Sequence, residues 1–136
     1  MANSLNNVAS SLISLGRSEE ALPKYEAALQ MLRRVLPPGH PHTLYPQLGL
    51  ARTLISLECY TEAEPLLLDA AEQCAASEAA RRMHWRSVAQ VMTELYDAWA
   101  AAEPQALATD GMPVPQKATE WRAKLEQWQA TTQPVD

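Results

Sequence analysis

Phenylalanine is absent from the 136 residues, glycine occurs only 4 times, and cysteine twice. With so little glycine and few β-branched residues, summed propensity favours helix over strand. Cys59 and Cys74 lack the close spacing of a metal clip, and no CxxC or Cys/His cluster accompanies them, which argues against a zinc module and for a reduced, cytoplasmic chain. No apolar run approaches the roughly 18 residues needed to span a bilayer. No N-terminal segment combines basic residues with an apolar core of signal-peptide length, so neither membrane nor export is expected. Basic charge is scarce: 11 Lys and Arg stand against 16 Asp and Glu, for a net charge of -5. The arginines come in pairs, Arg33 with Arg34 and Arg81 with Arg82, without interleaved aromatics, so nucleic acid is disfavoured as a partner.

Chemistry-bearing motifs are equally thin. His40 and His42 in "GHPHT" have no third ligand beside them, so no metal site is expected. Neither cysteine has the basic surroundings of a nucleophile, and His84 beside Trp85 reads as packing. There is no Gly-rich phosphate loop. The expectation is a chain without cofactor or metal that is not an enzyme.

What the chain does have is apolar content, 47% against 20% charged, enough for one domain with a core. It also repeats itself. "LISL" at residues 12–15 returns at residues 54–57, an offset of 54 − 12 = 42. At that offset Ala9 falls on Ala51, Glu20 on Glu62, Ala21 on Ala63, Pro23 on Pro65 and Ala28 on Ala70. Leucines at helical spacing, with alanines where two backbones approach, define a helix-turn-helix unit.

In the first unit, helix A spans about Ser4 to Leu15, with Leu5, Val8, Ala9, Leu12 and Leu15 as its apolar stripe. Gly16 ends it, and Ser18 with Glu19 and Glu20 starts helix B as a cap, with Pro23 close to that start. Tyr25, Ala28, Leu29 and Leu32 carry the apolar face of helix B to "VLPPGHPH", whose prolines break it. The second unit runs from about Leu44 to Ala76. Glu58 replaces Gly16 there, which leaves the closure of that turn open. Ser77 before Glu78 is the candidate N-cap of a third helix A, and one continuous helix is the alternative. Met92, Tyr96 and Trp99 then fall on Leu50, Leu54 and Leu57. The turn after them is swollen by "AAAEPQALATDGMPVPQ" before helix B resumes as "KATEWRAKLEQWQA". Trp99, Trp121 and Trp128 read as a closing core for the array.

The Leu-x-x-Ala-x-x-Leu of helix A, the Gly-x-x-x-x-Ala turn and Tyr-x-x-Ala-Leu in helix B resemble tetratricopeptide repeats. The 42-residue period, with "SLNNVASSLISLGRSEEALPKYEAAL" before "VLPPGHPHT", is similar to the longer repeats of the kinesin light chain class. "LYDAW" and "KATEWRAKL" look like the last repeat of arrays that follow bacterial serine/threonine kinase domains.

The resemblance implies an all-α, short superhelix (α-solenoid) of about three repeats. They form a single domain, 1–136: repeat 1 about 2–43, repeat 2 about 44–77, and repeat 3 about 78–130 with the Pro-rich insertion near 103–116. It also implies a non-catalytic scaffold for protein-protein interaction, binding a partner peptide or helix in a groove lined by the A helices. The inward positions are Asn3, Asn6, Asn7, Ser10 and Ser14, then Tyr45, Leu48, Gly49, Arg52 and Ser56, then Ser87, Gln90, Val91, Glu94 and Asp97. Ile13 and Ile55 are placed on the same side. Amide side chains suit main-chain recognition, Tyr45 and Arg52 suit an anchor, and Glu94 with Asp97 favour a basic segment. The same residues also read as an ordinary solvated face. Two further functions stay open: self-association or assembly through an uncapped first helix, and a regulatory appendage of an enzyme such as a protein kinase.

Overall fold

The computed structural model describes residues 2–132, apart from the side chains of residues 2–4, 6 and 129–132. Six α-helices follow one another: α1 (Ala2–Ser14), α2 (Ser18–Val35), α3 (Leu44–Ser56), α4 (Tyr60–Ala76), α5 (Glu78–Ala102) and α6 (Val114–Thr132). One 3-10 turn, Pro41–Thr43, precedes α3, and no strand occurs among the described residues. The all-α expectation holds.

Each odd-numbered helix packs on the helix that follows it, and each pair packs on the next through α2 against α3 and α4 against α5. In addition α1 touches α3 and α3 touches α5, whereas α2, α4 and α6 make no comparable contact with one another. Closer spacing on one side curves the stack, so α1, α3 and α5 form its inner row. The alanines that repeat at the 42-residue offset lie at the close approaches: Ala9, Ala51, Ala21, Ala63, Ala28 and Ala70 are all 0% exposed. A larger side chain at any of them would push two helices apart.

The two "LISL" segments end their helices in the same way. Gly16 N–H donates to Ile13 O at 3.0 Å and Arg17 N–H to Leu12 O at 2.7 Å, the paired bonds of a Schellman closure. Glu58 N–H to Ile55 O at 3.0 Å and Cys59 N–H to Leu54 O at 2.8 Å repeat that pattern. Gly16 has φ +74 and Glu58 has φ 62, so the second turn closes as the first does, with a glutamate held in the left-handed region.

Several expectations are corrected. Ser18 is not the cap of α2: Arg17 occupies that position without a side-chain capping bond, and the Ser18 hydroxyl meets that of Ser56 at 2.9 Å, tying the first turn to the second. Pro23, read as close to the start of helix B, stands inside α2. Val8 and Leu15 are not packed, being 48% and 69% exposed. The reason is that, among the described residues, α1 packs on α2 and α3 and on no other helix to a comparable extent. Ile13 and Ile55, assigned to the groove side, pack against the core instead.

The break at Ser77 is real. Its backbone turns to φ -133 and ψ 122, and its side chain accepts a bond from Ala80 N–H at 3.2 Å, so α4 and α5 are separate helices. The swollen turn after α5 is shorter than its proline content indicates, because α6 already starts at Val114 with Pro115 in its first turn, where a missing amide donor is tolerated. The loop before it is closed by Ala108 N–H to Met112 O at 2.9 Å and Val114 N–H to Ala106 O at 3.1 Å. It is pinned to α4 by Glu64, only 2% exposed. The Glu64 carboxylate accepts from Tyr96 Oη at 2.5 Å, from Thr109 N–H at 3.0 Å and from the Thr109 hydroxyl. Burial of the Tyr96 phenol, with this carboxylate as its acceptor, pushes its pKa far above the ordinary value. Around this lock Trp99 stacks on Tyr60 and Tyr96, and Trp85 lies against Trp121 with ring centroids 5.8 Å apart.

Candidate functional site

The inner row carries a concavity between α3 and α5 of about 210 Å³, lined by Tyr25, Tyr45, Leu48, Gly49, Arg52, Met83, His84, Ser87 and Val91. Six of these, Tyr45, Leu48, Gly49, Arg52, Ser87 and Val91, are positions that the repeat phase assigns to the groove. Period 3.6 explains the convergence: residues 45, 48, 49 and 52 share one face of α3, and 84, 87 and 91 share one face of α5.

These side chains differ in access. Tyr45 is 51% exposed, whereas Leu48 is buried and Val91 has no exposed surface. The floor is therefore apolar and the rim polar. Arg52 reaches Glu94 at 3.7 Å, with both side chains about half exposed, a loose pair of small energetic weight. Asp97 does not stand free beside Glu94. It accepts from Arg122 of α6 at 2.6 Å, which turns its charge away from the row. Gln90 is exposed but does not line the concavity.

On α1, Asn7 and Ser10 are exposed, and Ser14 Oγ donates to Ser10 O at 3.2 Å. The side chains of Asn3 and Asn6 lie outside the described residues. Ser10 joins the concavity through Tyr25. Burial raises the Tyr25 phenol above its ordinary pKa, while the Ser10 hydroxyl and the Arg52 guanidinium lower it.

Tyr25, Met83 and His84 are the lining residues that sequence reasoning missed. Tyr25 belongs to α2 and reads as core by its phase. It enters the inner face because Gly49 has no side chain: a Cβ there would stand 2.2 Å from the Tyr25 ring. A lone glycine inside a helical pattern was the available signal. His84 is 2% exposed, and its Nε2 has no hydrogen-bond partner. Its ring meets Tyr45 edge-on with centroids 4.6 Å apart. Burial pushes its pKa below the ordinary value, the Pro41 carbonyl opposing and His42 adding to the shift.

His40 has a local role: its Nδ1 accepts from His42 N–H at 3.1 Å and caps the 3-10 turn. Among the described residues no three His, Cys, Asp or Glu side chains come together as a metal ligand set. Among the described residues no helix is long and apolar enough to cross a membrane. Larger concavities lie elsewhere, about 420 Å³ beside Arg33, Gln47 and Gln73 and about 480 Å³ at the first turn beside Gly16.

The family description "Tetratricopeptide repeat" matches residues 1–76, which are helices α1 to α4. The chain belongs to the tetratricopeptide repeat family. No curated protein and no solved structure matches it. Helices α5 and α6 lie beyond the matched residues, yet they continue the same stacking: α5 takes the place next to α3 that α3 takes next to α1. Tetratricopeptide repeats generally mediate protein-protein interaction, and the inner row of this member brings together the exposed Tyr45, the exposed Arg52 and an apolar floor.

Proposed function

We propose that the chain is a non-catalytic interaction module that holds a peptide or helix of a partner protein along α1, α3 and α5. The observation that carries this reading is the concavity between α3 and α5, where Tyr45 and Arg52 stand over Leu48 and Val91. An exposed aromatic and an arginine above a desolvated apolar floor is the composition of an interface hot spot. Asn7 and Ser10 extend the polar rim along α1, and Gln90 and Glu94 extend it along α5. The repeats are then α1 with α2, α3 with α4, and α5 with α6. The kinesin-light-chain-like period and the kinase-linked resemblance of the last repeat make a cytoplasmic regulatory scaffold the fitting role.

The test is a binding constant for a captured and purified partner, measured with wild type, with Asn7→Ala combined with Arg52→Ala, and with Arg33→Ala as a convex-face control. A loss confined to the double variant, with unchanged circular dichroism, supports the groove. Equal binding by all three removes it.

One observation favours a second reading, assembly through α1. Val8 is 48% exposed, while its counterpart one repeat later, Leu50, is 7% exposed on α3, a helix that packs on α2 before it. The face of α1 is thus built to be covered by a helix resembling α2. Mass in solution at several concentrations decides: a dimer abolished by Val8→Asp supports assembly, and a monomer throughout excludes it.

A further inference from the structure

His84 is a buried imidazole whose surroundings hold no place for a second proton. The ring is 2% exposed, and Nε2 is shut away from solvent without an acceptor. It sits in a row of rings: His40 to His42 at 4.8 Å, His42 to Tyr45 at 5.9 Å, Tyr45 to His84 at 4.6 Å between centroids. The row runs from the turn before α3, across the rim of the concavity, to its floor on α5.

Around His84, the 3-10 turn contributes His42 and the Pro41 carbonyl, α3 contributes the Tyr45 phenol and, in the same concavity, Arg52, and α2 contributes the Tyr25 phenol. On α5 itself Arg81 lies one turn away along the helix, and on the α4 side the Cys74 thiol is engaged with the Ala80 carbonyl at 3.7 Å. Among the described residues that line the concavity there is no carboxylate. At its rim Glu94 is paired, loosely, with Arg52 at 3.7 Å. An imidazolium at position 84 would be a buried charge with an unanswered N–H.

We propose that His84 is an acid-sensitive catch on the groove: a proton on Nε2 releases Tyr45 from the imidazole and opens the floor of the concavity, so that partner binding is coupled to pH. This rests on the groove as the binding site, but the release itself belongs to the free chain. The sign follows from linkage. The folded imidazole titrates below its ordinary value of 6.5, so the closed arrangement has its full stability above that value and loses it as pH falls below it. While the closed form resists the proton, the open population grows by up to about tenfold per pH unit.

The experiment is a titration of the free wild-type chain between about pH 5 and pH 7.5, following the imidazole carbon resonances of His84 and the ring resonances of Tyr45 by NMR. His42→Ala and His84→Phe are run beside it. The expected result is that His84 takes its proton below 6.5, that the Tyr45 resonances move with it in wild type and in His42→Ala, and that they stay constant in His84→Phe. Tyr45 movement that persists in His84→Phe, or that vanishes in His42→Ala, overturns the proposal. So does His84 titrating at its ordinary value while Tyr45 stays still. Should His84→Phe not fold, wild type and His42→Ala still decide, since both must show the two residues titrating together. None of these readings depends on a partner, so failure of the groove as a binding site and failure of the catch are told apart.

Discussion

Gly49 and Glu58 are the two residues whose identity is most at odds with an ordinary helical pattern, and their physics runs in opposite directions. In a helix interior, Gly→Ala normally gains about 1 kcal/mol from propensity. At Gly49 the added Cβ would meet Tyr25 at 2.2 Å, and overpacking of this kind costs about 1–3 kcal/mol. Gly49→Ala is therefore expected to lower the thermal midpoint and to displace Tyr25 from the inner face. A raised midpoint would mean that the ring moves aside freely. Glu58 holds φ 62, a conformation that costs a side-chain-bearing residue about 1–2 kcal/mol. Glu58→Gly is expected to stabilise the chain by about 1 kcal/mol in denaturant unfolding, as Gly16 already does at the same point of the first turn. The sequence makes the absence of glycine at position 58 visible. It does not reveal that the turn keeps its shape, because that shape is imposed by the packing of α3 on α4 and by the bond from Cys59 N–H to Leu54 O.

At the scale of elements, helix ends were legible wherever a residue signals locally, and misread wherever a contact distant in sequence decides. Gly16, the prolines of "VLPPGHPH" and the Ser77 cap mark their breaks by their own chemistry. Ser18 has the chemistry of a cap, but its hydroxyl pairs with that of Ser56, 38 positions away. The insertion after α5 is the clearest case, since its order depends on Glu64, 45 positions from Thr109. Replacing Glu64 by alanine leaves the buried Tyr96 hydroxyl without its acceptor and frees the loop, at an expected cost of about 3 kcal/mol. Glu64→Gln, which keeps one carbonyl oxygen, should cost less. Limited proteolysis checks this: cleavage within residues 103–113 is expected to accelerate in Glu64→Ala before global unfolding, and cleavage at wild-type rate would show that the loop is held by its apolar residues alone.

For the whole molecule, the repeat of 42 residues carried the architecture, because alanines at matching phase settle where helices meet. It carried the groove only in part. Tyr45, Leu48, Gly49, Arg52, Ser87 and Val91 converge as their phase requires, while Asp97 is drawn off to Arg122 and Tyr25 arrives from the neighbouring row. Side chains on one helix follow periodicity; an ion pair to the next helix, or a ring passing over a glycine, does not. The central claim concerns which face of the curved stack takes a partner, and amide shift mapping of the partner-bound chain tests it most directly. The account predicts that the largest changes fall on α1, α3 and α5, with Tyr45, Arg52 and Ser87 among them, and that α2, α4 and α6 change little. Changes concentrated on the convex helices, with the α3–α5 concavity undisturbed, would contradict it.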